Sequence, residues 1–189
     1  MAPVNARLAP RWTGITLTEA VALATCIGLF VAARLAGNVV RGVPGHTGAL
    51  WLPPLFFSLA LVRRVGAPTV TALVGSVLVG AWGRVGYLTL PSDVSAALAL
   101  DVLGWGFDRL VRVPWALLAG AVAQVVKFAS HAALAAAMGK PTGNARFGLW
   151  PVLGLHVGFG LVGGLLGWAG LRAIRRVASD AGSEGRRED

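Results

Sequence analysis

Charge is what this sequence lacks. Only 13% of its 189 residues are Asp, Glu, Lys or Arg, 56% are hydrophobic, and the mean hydropathy is +0.70. A soluble domain of this length needs more polar surface, so a soluble globular fold is excluded. Acidic residues are scarcer still, eight against seventeen basic ones. In a soluble protein the resulting net charge of +9 would point to nucleic acid. Here the basic residues sit at the ends of apolar runs, where membrane proteins place them, so no nucleic-acid partner is expected. The single cysteine, Cys26, lies inside the first apolar run and allows no intrachain disulfide. No A-x-A pattern closes that run, which reads as a retained helix rather than a signal peptide. Neither H-E-x-x-H nor a P-loop occurs, which removes the zinc-protease helix and ATP hydrolysis by that route. The chain reads as a non-enzyme with no cofactor and no metal.

What it has is a series of apolar runs of membrane-spanning length, separated by short loops punctuated with arginine. In lipid every backbone polar group must be satisfied within the protein, so such runs are helices or a closed barrel. Continuous apolarity without two-residue alternation selects helices. The expected fold is all-α and integral to the membrane, with about six transmembrane helices near 15–36, 47–62, 68–85, 94–110, 115–138 and 147–171. An arm at 1–13 precedes this domain of 14–176, and a charged, disordered tail is expected at 177–189. Pro53-Pro54 predicts a kink or a late helix start in the second span. Gly66-Ala67-Pro68 predicts a tight turn into the third, and Asp93 a cap on the fourth. With the N-terminus inside, eleven basic residues fall on inner segments and five on outer ones (Arg34, Arg41, Arg84, Lys140 and Arg146). That asymmetry predicts both termini in the cytoplasm of a multi-pass protein of the cell membrane.

Ionisable groups within a span are costly and are functional candidates by default. Four stand out: Asp101, Lys127, His131 and His156. Gln124, Lys127 and His131, three and then four residues apart, share one helix face, and so do Asp101 and Trp105. Together they predict an outward-opening polar and aromatic cavity walled by the fourth, fifth and sixth helices. Trp51, Trp82 and the loop around Asn38 and His46 would form its rim. Structural roles compete with these. Asp101 and Lys127 can neutralise one another as a buried pair, and His131 and His156 can bond backbone or each other. Trp12, Trp115 and Trp150 suit interfacial anchoring. Glu19 suits the start of the first helix. Two small-xxx-small pairs, Gly160 with Gly164 and Gly163 with Gly167, predict close packing of the sixth helix against its neighbours.

The organisation resembles a known family, the substrate-binding S components of energy-coupling factor (ECF) vitamin transporters. The resemblance runs from Thr18 to Trp105. It rests on the Thr18-Glu19-Ala20 start, the alanine-striped first span, the Gly37-Asn38-Val39-Val40 loop and Pro44-Gly45. Leu61-Val62-Arg63-Arg64-Val65-Gly66-Ala67-Pro68 is similar to a turn of the branch associated with thiamine precursors such as hydroxymethylpyrimidine. The resemblance implies capture of a small-molecule vitamin or precursor from outside, in a pocket covered by the first loop. It implies docking through small residues of the first helix, Ala20 and Ala24, onto a transmembrane coupling subunit driven by two cytoplasmic ATPases, with membrane lipid around the rest. On that reading Trp82, Trp105 and Trp51 stack a flat ligand. Asp101, Gln124 and a histidine would bond its polar atoms, with Lys127 and Asn38 nearby. A stand-alone permease or accessory membrane subunit is the alternative, and a membrane enzyme using His131, His156 and Asp101 a third.

Overall fold

The first helix starts where its sequence offers a capping box. Thr16 Oγ1 accepts from the Glu19 amide at 3.2 Å, and Glu19 Oε2 accepts from the Thr16 amide at 2.9 Å. The computed structural model describes residues 14–37, 43–62, 64–82, 87–104, 110, 112–140 and 147–184. They form six α-helices, and there are no strands among the described residues: α1 (Leu17–Gly37), α2 (Gly48–Val62), α3 (Ala67–Ala81), α4 (Leu90–Leu103), α5 (Val113–Ala137) and α6 (Leu149–Glu184). One 3₁₀ turn, Tyr87–Thr89, leads into α4. Three stretches, Leu17–Gly37, Val113–Ala137 and Leu149–Arg176, are long and apolar enough to cross a membrane. These make the chain compatible with a membrane protein. Helices α2 and α3 are apolar but only 15 residues long, about 22 Å against a hydrocarbon core of about 30 Å.

Several boundaries differ from the sequence reading. Helix α2 begins five residues before Pro53, so the proline pair does not delay its start. Helix α4 begins at Leu90 with Pro91 in its first turn, which places Asp93 inside the helix instead of at its cap. Helix α6 runs on to Glu184, past residue 177 where the tail was expected to begin.

Helix α2 contributes much of the core. Trp51, Leu52, Leu55, Phe56 and Leu59 all lie in the core. The helices pack in a ring in the order α1, α3, α4, α5, α6 and α2, and α2 also meets α3 and α4. Successive helices alternate in direction. At one end Arg64, after α2, donates to Glu19 at 3.0 and 3.1 Å and to the Gly14 carbonyl at 3.0 Å. At the other end, the last turn of α1 meets the first turn of α4 through Arg34 and Asp93. Gly170 of α6 packs on Phe57 near the end of α2, so the start of α1 and the later part of α6 share an end.

The glycine pairs of α6 face two different neighbours. A methyl on Gly160 would stand 2.6 Å from the Gly120 carbonyl of α5, and Gly164 faces the Ala116 carbonyl of the same helix. Gly163 and Gly167 face α2, a methyl on each meeting the Gly48 carbonyl and Phe56 at 2.7 Å. Small residues therefore let α6 lie close to both helices at once, as expected from the sequence. The outer faces carry exposed Leu17, Val21, Leu29, Leu73, Val77, Leu161 and Leu165, while the interior holds charge. That distribution suits a lipid surround and a functional interior.

Candidate functional site

Charge collects at the end of the bundle where α1 finishes and α2 and α4 begin. Asp93, wholly buried in the first turn of α4, is its centre. Arg34, in the last turn of α1 and 7% exposed, brings Nη2 to 3.2 Å from Asp93 Oδ2. The same nitrogen donates to Thr89 Oγ1 at 3.2 Å. Lys127 of α5 places Nζ on Asp93 Oδ1. Ser76 of α3 donates to Asp93 Oδ2 at 3.1 Å. One carboxylate thus joins four helices.

An aromatic wall adjoins these charges. Trp51, in the first turn of α2, is completely buried, and Lys127 Nζ lies 4.0 Å from its ring centroid. Phe30, one turn before Arg34, meets the Trp51 ring edge-on at 6.2 Å. Two buried donors in this cluster, Arg34 Nε and Trp51 Nε1, have no hydrogen-bond partner among the described residues. With two cations and one carboxylate, the cluster carries a surplus positive charge. Beside it, Ser95 of α4 donates to Ser130 of α5 at 2.8 Å.

Gly45, just ahead of α2, is held against α5 and α6. Gln124 Nε2 donates to the Gly45 carbonyl at 3.2 Å. Gly45 has a φ of 78°, and a methyl there would stand 3.1 Å from His156 Cα, so glycine alone suits the position. His156 Nδ1 donates to the Val152 carbonyl at 2.8 Å, and its ring stacks obliquely on Phe128 at 4.8 Å.

Of the residues singled out from sequence, Lys127 and Trp51 are brought together, and Gln124 and His156 meet at Gly45. His131 is half-buried on α5. Trp82 is 69% exposed after the end of α3. Trp51 is no rim residue, because Lys127 and Phe30 pack it into the core. Asn38 and Trp105 lie outside the described residues.

The buried pair of Asp101 with Lys127 is corrected: the partner of Lys127 is Asp93. Asp101 lies eight residues further along α4, about 12 Å away by helical rise. It accepts from the amides of Gly66 and Thr69 at 2.7 and 3.2 Å and from Thr69 Oγ1 at 2.5 Å. Asp101 therefore caps α3 from a neighbouring helix, where Gly66 at φ 93° supplies no capping side chain of its own. Asp101→Ala should accordingly cost about 1–3 kcal/mol of stability, read by thermal unfolding in detergent. An unchanged melting temperature would contradict this capping role.

Arg34 and Asp93 escaped the sequence reading. By sequence Arg34 reads as an outer loop charge and Asp93 as a helix cap. The available signal was position: Arg34 stands within the apolar run 15–36, where a charge needs a partner. No family model, no curated protein and no solved structure matches this chain.

Proposed function

We propose that the chain is the substrate-capture membrane subunit of an ECF-type importer. It crosses the cell membrane with six helices, both ends in the cytoplasm, and takes a small vitamin or precursor from outside. A transmembrane coupling subunit and two cytoplasmic ATPases complete the transporter. The carrying observation is the buried Arg34–Asp93–Lys127 cluster beside Trp51. A membrane bundle keeps such groups inside chiefly where a solute or ion is handled. The arginine asymmetry supports an outside position for this end of the bundle. Gly45, fixed against Gln124 and His156, suits a cover over it. The shorter α2, α3 and α4 cross with local thinning of the bilayer around them.

The docking face is α1. Ala20, Ala24, Gly28, Ala32 and Ala36 recur every fourth residue and are all exposed. An open groove of about 400 Å³ continues this face between α1 and α2, lined by Ala32, Ala36, Pro53 and Phe57 among others. A smooth strip lets a partner helix approach closely. Affinity purification of the tagged chain from its own cells should recover a coupling subunit with paired ATPases. Ala24→Trp should abolish that recovery without changing the melting temperature, since the position faces away from the core. Recovery of the chain alone, with uptake by proteoliposomes that hold nothing else, would establish a stand-alone permease instead.

A further inference from the structure

The surplus positive charge of the cluster says which solute it takes. We propose that the site binds the carboxylate of a small solute, with Arg34 Nε and Trp51 Nε1 as hydrogen-bond donors and Lys127 as counter-charge. The inference rests on the capture reading above and deepens it. Arg34 and Lys127 share the single carboxylate of Asp93, their side chains being 8% and 13% exposed and that of Asp93 wholly buried. An unbalanced charge held this far from water is costly, and one negative charge would cancel it. The two unpartnered donors belong to the same packed unit, because Phe30 stands one turn from Arg34 and touches Trp51. They come from different helices, which suits an acceptor with two oxygens.

Charge count separates the candidates. A carboxylate carries one negative charge and leaves the cluster neutral. A phosphate monoester carries about 1.5 to 2 and overshoots. A thiamine-like cation would add to the surplus, and hydroxymethylpyrimidine, being neutral, would leave it standing. The similarity to the thiamine-precursor branch involves the stretch Leu61 to Pro68, whose Arg64 pairs with Glu19 at the far end of the bundle from these groups.

Melting of the purified full-length chain in nanodiscs tests this with acetate as the probe and acetamide as its uncharged isostere. Sodium chloride and sodium phosphate at matched ionic strength are the other arms. Acetate should raise the melting temperature saturably by about 2–4 °C, and the other three should not. Trp51→Phe keeps the ring and removes one donor, so the acetate response should weaken. Lys127→Met leaves the neutral Arg34–Asp93 pair, stays folded, and should lose the response. The proposal is overturned by no acetate response, by acetamide, chloride or phosphate matching acetate, or by a full response in both variants. An intact acetate response in a chain that recovers no coupling subunit would sink the importer reading alone. Recovery of the subunit without an acetate response would sink the carboxylate alone.

Discussion

Asp93→Asn should remove about 3–5 kcal/mol of stability. The asparagine keeps the shape of the side chain and deletes the one negative charge that Arg34 and Lys127 share. Two cations are then left buried side by side, next to the Ser76 hydroxyl. Removing a cation behaves differently. Lys127→Met leaves one arginine and one carboxylate in contact, and a flexible apolar side chain replaces the lysine stem against Trp51. Its cost should stay near 1 kcal/mol. Thermal unfolding of both variants in one detergent gives the comparison. Equal losses in the two would mean that the cluster carries no surplus charge.

Gly164→Leu should have the second largest effect, a loss of about 3 kcal/mol, at the upper end of the overpacking range. Its new side chain would point at the Ala116 carbonyl and at Leu117 Cα, both backbone atoms of α5 that no rotamer change can move. The two helices would have to separate along the whole Gly160–Gly164 contact. Gly158 of the same helix supplies the control. A methyl there meets nothing within 4 Å, so Gly158→Ala should stabilise by about 0.5–1 kcal/mol through helix propensity alone. Melting temperatures that fall for both substitutions would indicate a general intolerance of α6, and would remove the case for a specific close approach.

Particular residues show how far the sequence could be read. Thr16 and Glu19, three apart ahead of an apolar run, already carry the chemistry of a capping box. Glycines at 160, 163, 164 and 167 already mark two smooth strips on one helix. Lys127 declared itself by standing alone in a long apolar helix. Its partner did not. Asp93 and Asp101 lie on the same short helix, both buried, and helical spacing gives no reason to pair either one with a lysine on another element. The choice was made by two other helices. The start of α3 needs an acceptor for its free amides and takes Asp101, while α1 delivers Arg34 to Asp93.

By itself the sequence determined the helical, lipid-compatible class, the approximate segments and the burial of a few ionisable groups. Hydropathy and residue spacing act along the chain and need no knowledge of neighbours. Only the tertiary structure decided that Arg34, Asp93 and Lys127 meet beside Trp51 and that Asp101 serves the end of α3. Such pairings depend on which helix ends come together and at what rotation, and residues 34, 51, 93 and 127 are joined only once four helices have packed.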